Sequence, residues 1–165
     1  MTDNPNGYKM TEVGVIPEDW EVKTLGEHSS FRTGPFGSAL HCSDYTNDGV
    51  PVINPMHIID GNIFPSRSMT ITQSSAQRLA VFQLKAGDIV MGRRGEMGRC
   101  AVVHGHKAGW LCGTGSIIIR CGQSLFPAFV QRVLASQRVV GAIEESSVGS
   151  TMINLNQGTL AGLLL

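Results

Sequence analysis

The chain has 165 residues, enough for one domain with a sizeable core. It is 42% hydrophobic and 16% charged with no low-complexity tract, which excludes disordered and fibrous classes. Net charge is zero, which counts against a generic polyanion binder, and no run is long and apolar enough to span a bilayer.

Residues 1–7 carry no basic start and no apolar run, so they are expected to be a disordered lead rather than a signal peptide. A cytoplasmic protein is the expectation. Over residues 8–27, Gly14, Pro17 and Gly26 break the chain into short extended pieces. Val22 and Leu25 are expected to flank a short strand, with Trp20 anchoring its start on the core. Phe31–Asp44 is glycine-rich and carries Ser38, His41 and Ser43. It lacks the Gly-x-x-x-x-Gly-Lys spacing of a phosphate-binding loop. Val50–Ile53 reads as a strand in which Pro51 indicates an edge or a strand start. Asn54-Pro55-Met56 reads as a turn, His57–Ile63 as a strand and turn, and Gln73–Ala80 as a short helix with Ser74 and Ser75 as candidate caps.

Ile89-Val90-Met91 reads as a buried strand, and Cys100–Val103 as the strand that returns from it. Between them, Gly92, Gly95 and Gly98 bracket the adjacent Arg93 and Arg94. Glycine lets backbone turn sharply or approach a ligand, and arginine offers a rigid donor fork. Spacing alone favours an ordinary solvated hairpin over a ligand-holding one. Ser116–Arg120 is β-branched and reads as a central strand. Apolar residues from Phe126 to Glu145 recur at helical spacing, with a break near Ser136–Gly141. Ser146–Gln157 reads as a polar loop leading to a short extended piece. The apolar end Leu163–Leu165 is expected to need cover from further polypeptide or a second copy of the chain. Many short strands, few helices and no repeated β-α-β alternation give the α+β class, with a mixed or antiparallel sheet.

Cys42, Cys100, Cys112 and Cys121 form no C-x-x-C pair and are read as reduced thiols, mostly buried. His104 and His106 bracket Gly105 without a nearby cysteine pair or carboxylate, so no metal is expected there. Charge is distributed unevenly. Residues 1–27 hold six acids against two lysines, while residues 61–140 hold ten bases against Asp88 and Glu96. Such asymmetry can build a basic face on a neutral protein.

Four stretches, in order, resemble the specificity subunits of type I restriction-modification enzymes. The first is Tyr8-Lys9-x-Thr11-Glu12-x-Gly14-x-Ile16-Pro17-x-x-Trp20-Glu21-Val22-x-x-Leu25-Gly26. The second is Gly37-Ser38-Ala39-Leu40 with Asp44-Tyr45 and Gly49–Ile53. The third is Gly87-Asp88-Ile89-Val90-Met91-x-Arg93-x-Gly95-x-x-Gly98. The fourth is Ser150-Thr151-Met152-x-Asn154-Leu155. The pattern departs from the family at Asn54-Pro55-Met56, where relatives often carry an arginine.

The resemblance implies one N-terminal target recognition domain over residues 1–165. Residues 8–27 would be its lead-in and 28–165 its DNA-reading body, with the chain ending before a spacer helix. In the family such a domain reads one half of a bipartite double-stranded DNA site. The subunit scaffolds methyltransferase and restriction subunits and does no chemistry itself. DNA contact would fall to Arg93 and Arg94 first, then Arg67, Ser38, His41, Lys107, Thr151 and Asn154, chosen by loop position. No cofactor, metal or membrane contact is implied, and a second copy of the chain is a further candidate partner. The alternatives are a protein-interaction module, or a non-catalytic remnant of a DNA methyltransferase or restriction enzyme. As catalytic pairs, His57 with Asp60 and Cys42 with His41 lack any nucleophile signature.

Overall fold

The structure is a computed structural model that describes residues 7–147, 149 and 152–165. In chain order the strands and helices are β1 (Tyr8–Thr11), β2 (Gly14–Pro17), β3 (Ser29–Thr33), β4 (Tyr45–Thr46), β5 (Val50–Ile53), β6 (Ile58–Ile59), β7 (Asn62–Ile63), β8 (Thr70–Ile71), α1 (Gln73–Arg78), β9 (Ile89–Gly92), β10 (Cys100–Val102), β11 (Leu111–Cys112), β12 (Ser116–Cys121), α2 (Pro127–Leu134), α3 (Gln137–Ser146) and α4 (Gln157–Ala161). One antiparallel sheet has the order β10-β9-β12-β3, and a second, mixed sheet has the order β11-β5-β8-β4. Two separate hairpins, β1-β2 and β6-β7, complete the strands.

Side-chain alternation along the apolar runs explains the layering. Strand residues point to opposite faces in turn. Ile89, Met91, Ile117 and Ile119 therefore face one way, and pack with Val130 and Leu134 of α2 and Val139 and Ile143 of α3. Val90 and Ile118 face the other way, and meet Ile53 of β5 and Cys112 of β11. Val52 and Leu111, on the far face of the second sheet, pack with Ala76 and Leu79 at α1. The result is four layers: helices, sheet, sheet, helix. Runs such as Ile89–Met91 and Ile117–Ile119 are continuously apolar because both faces are covered. Each of these fully buried side chains contributes about 1.5–3 kcal/mol.

Several sequence expectations hold locally. Pro51 sits at the start of β5, before the strand gains its β11 partner at Val52. The break in the long helical stretch falls at Ala135-Ser136, where the Ser136 hydroxyl accepts from Val139 N and starts α3. Others are corrected. No strand forms around Val22–Leu25. The Glu27 carboxylate accepts from both the amide and the hydroxyl of Thr24 at 2.8 Å, which folds Leu25–Glu27 into a 3-10 turn. Such a local capture outcompetes a strand ladder. Residues 8–17 form the hairpin instead. The cap of α1 is Thr72, not Ser74 or Ser75.

The apolar end finds cover within the chain. Leu25 N donates to Leu163 O at 2.8 Å, and Leu165 N donates to Lys23 O at 2.9 Å. Leu163 and Leu165 are half-buried against the helix-side core. Of the lead expected to be disordered, residues 1–6 lie outside the described residues. Gly7 closes the first hairpin by accepting from Glu18 N.

Candidate nucleic-acid interface

The loops leaving the C-terminal ends of β3, β5 and β9 meet the loop entering β12. This follows from register: β12 runs antiparallel to β3 and β9, and β11 runs parallel to β5. At this end Gly92 passes so close to Pro55 that a Cβ would lie 3.0 Å from the proline Cβ. Asn54 Oδ1 accepts from Gly115 N at 3.4 Å. His57, 6% exposed, accepts from Asn54 N through Nδ1 at 3.0 Å, and burial lowers its pKa. The Asn54–Met56 turn is therefore a brace for the neighbouring loops, with Met56 left exposed.

The β9-β10 hairpin loop is pinned at both ends. Gly92 N donates to Arg99 O, Arg93 N donates to Gly115 O, and Met97 inserts into the helix-side core. Gly98 combines a φ of 86° with a close approach, since a Cβ there would sit 2.6 Å from Val140 Cγ2. No other residue type meets both demands.

The two arginines have opposite fates. Arg93 is 6% exposed. Its Nε and Nη2 donate to Asn154 Oδ1 at 3.1 and 2.8 Å, and its guanidinium lies 4.8 Å from the Phe36 ring centroid. Burial first, and then the charge of Arg94, pulls its pKa below the ordinary arginine value. Leu155 N donates to Arg93 O at 2.8 Å, and the backbone of Arg94 bridges that of Asn154. The Arg94 side chain is exposed and has no hydrogen-bond or ion-pair partner among the described residues. Glu96 is engaged elsewhere, with Arg99. Among the described residues, the loop thus carries one anchored cation and one cation without a partner, side by side. Ser38 stands exposed in the 3-10 turn Gly37–Ala39, two residues after Phe36.

No family model matches the chain. Over 84 residues, 51% of this chain, it is 30% identical to the Type I restriction enzyme MjaVIII specificity subunit of Methanocaldococcus jannaschii, and the match covers 19% of that protein. Among solved structures, the HsdS subunit from Thermoanaerobacter tengcongensis matches 96% of this chain and 35% of its own, with a TM-score of 0.64 at 16% identity. A chain described for complex assembly and conformational transition of the type I R-M system matches 91% and 34%, with a TM-score of 0.65 at 18% identity. The Type-I restriction-modification system S subunit from M. genitalium matches 88% and 33%, with a TM-score of 0.57 at 17% identity. This chain has the fold of type I specificity subunits. It spans about a fifth of the curated relative and about a third of each solved chain. The resemblance read from the four sequence stretches and the α+β class are both borne out.

On this specificity-subunit fold the sequence-selected residues do not all gather. Arg93, Arg94 and Asn154 come together, and Phe36 brings the Ser38 turn to them. Phe36 is the residue that sequence reading missed, although an aromatic on a glycine-rich loop was the available signal. His41 is exposed, and its amide donates to Asp44 Oδ2 at 2.7 Å. Arg67 is ion-paired with Asp48 at 2.7 Å, although both side chains are solvated. Lys107 follows β10 at the opposite end of the hairpin from Arg93, with Nζ donating to Ile63 O. Thr151 lies outside the described residues.

Neither candidate catalytic pair is assembled. His57 Nδ1 is taken by Asn54 N, while Asp60 sits exposed in the β6-β7 turn. His41 and Cys42 are both exposed and share no hydrogen bond. His104 and His106 stack at 6.4 Å. Among the described residues no group of three or more histidines, cysteines or acids is placed to hold a metal ion, and no helix is long and apolar enough to cross a membrane.

Proposed function

We propose that this chain is the target recognition domain of a type I specificity subunit, reading one half of a bipartite double-stranded DNA site. The observation that carries the reading is the likeness of fold over 88–96% of the chain to subunits of that kind, joined to the sequence likeness with a specificity subunit. The domain is taken as residues 1–165, without catalysis of its own. It acts in the cytoplasm, beside the methyltransferase and restriction subunits that the rest of the polypeptide helps to assemble.

The convergent loop end supports this reading chemically. Arg94 offers an exposed guanidinium, unpaired among the described residues and suited to a phosphate or a guanine edge. Ser38, exposed two residues after Phe36, offers a neighbouring hydroxyl. Lys107, at the far end, and Arg67, already paired, are left out of the proposed contact set. Neutral overall charge fits a protein whose affinity comes from a local patch.

The test is methylation mapping in a host expressing the complete system. Exchanging residues 28–165 for the matching segment of another specificity subunit is expected to change one half of the methylated site and leave the other half intact. An unchanged site would overturn the reading.

A further inference from the structure

An arginine within 6% of full burial on a loop end is an unusual instrument for simple charge neutralisation. Arg93 is held on three sides: by Asn154 through two donors, by Phe36 across its face, and by its own backbone. Its amide donates to Gly115 O, and its carbonyl accepts from Leu155 N. These contacts belong to four different segments: the loop after β3, the β9-β10 loop, the turn before β12, and the stretch before α4. Three of them are exposed at the tip, where Phe36 is 53% and Met152 68% exposed and Arg94 faces solvent, while the turn before β12 is at most partly exposed. A second tie runs between the same neighbourhoods, with Gln157 Nε2 donating to Thr33 Oγ1 at 3.2 Å.

We propose that the Arg93–Asn154 pair is a latch that fixes these loops relative to one another, so that Arg93 is a positioning residue for sequence specificity while Arg94 makes the outward contact. The inference rests on the DNA-reading function proposed above. Base discrimination requires donors placed to within a fraction of an ångström, and loops achieve that only when a supporting shell locks them. Non-specific attraction to phosphates has no such requirement, because it depends on charge and falls with salt. The latch and the contact are therefore separable.

Lysine at position 93 keeps the charge but has one nitrogen on a flexible stem. It cannot reproduce the donation from Nε and Nη2 to a single oxygen. Arg93→Lys and Arg93→Gln are thus expected to lower the ratio of specific to scrambled-duplex affinity roughly tenfold or more, the scale of one misread base pair. Both should leave scrambled-duplex affinity and its salt slope as in the parent. Asn154→Ala should match them, and its combination with Arg93→Lys should be no worse than either alone. Asn154→Asp, which keeps an acceptor oxygen in place, should retain specificity. Arg94→Ala should weaken both duplexes alike and reduce the salt slope by about one.

The experiment measures duplex binding at several salt concentrations, with the complete specificity subunit assembled with its methyltransferase. It is paired with hydrogen exchange over residues 152–157 and thermal unfolding. Faster exchange at Leu155 in Arg93→Lys, with an unchanged melting temperature, supports the latch. If Arg93→Lys reads like the parent while Arg93→Gln loses a unit of salt slope, Arg93 is a direct phosphate contact and the latch is overturned. If the parent binds no duplex, the DNA-reading function fails first. The exchange data then judge the latch alone, and unaltered exchange in Arg93→Lys overturns it.

Discussion

Arg120→Ala should destabilise the chain by about 2–3 kcal/mol, for reasons that can be counted at Asp88. The Asp88 side chain is 1% exposed and accepts three hydrogen bonds: from Arg120 Nε at 2.7 Å, from Arg120 Nη2 at 2.7 Å, and from Lys85 N at 2.8 Å. The same bidentate contact pushes the Arg120 pKa up. Removing Arg120 leaves a buried carboxylate with one donor. Breaking a buried pair from one side costs about 3–5 kcal/mol because the remaining charge is uncompensated. The Arg120 side chain is 40% exposed, so water can enter the vacated space and the upper part of that range is discounted. For a domain of this length each kcal/mol corresponds to roughly 2–4 °C in melting temperature, so the loss should be about 4–12 °C. Asp88→Asn should cost less, because the orphaned group is then a half-exposed arginine and the amide oxygen still accepts from Lys85 N. Urea unfolding of parent and variants, followed by circular dichroism, measures both. Arg120→Ala within about 0.5 kcal/mol of the parent, or a reversed order of the two variants, would refute the reasoning.

Three other perturbations follow from the same structure. Stability should fall as pH drops below 6.5, the ordinary histidine value, because the unfolded chain then takes a proton that buried His57 refuses while it accepts from Asn54 N; His57→Gln should shallow that slope, and an unchanged slope removes His57 as the cause. Cys42 should be alkylated first in the native chain, since Cys100 has its pKa pushed up to about 12 by burial and Cys112 is raised by burial too. Mass spectrometry of brief labelling reads this, and Cys112 reacting as fast as Cys42 would contradict it. Gly34→Ala should cost about 3 kcal/mol or more, because its Cβ would meet Gly113 O at 1.8 Å, backbone against backbone; a parent-like melting temperature would show that the two loops can separate freely.

The chain alone determined what depends on neighbours in sequence. Ile89–Met91, Ile117–Ile119 and the Gly-Arg loop announced a central hairpin and a buried strand, because apolar run, turn residue and return strand are all local. The break near Ser136 was legible because the helical spacing of apolar residues is itself a local pattern. The ordered motifs also carried the family resemblance. Tertiary structure decided the rest. Arg93 and Arg94 are adjacent and chemically identical in sequence. Only the arrival of Asn154 and Phe36, 61 and 57 positions away, buries one and leaves the other exposed. Asp88 looked like a motif acid, and its partner Arg120 came from another strand. Leu163–Leu165 looked uncovered until Lys23 and Leu25 paired with it across the fold. In each case the deciding contact joins residues far apart along the chain, and burial there follows from which strands pair rather than from the residues themselves.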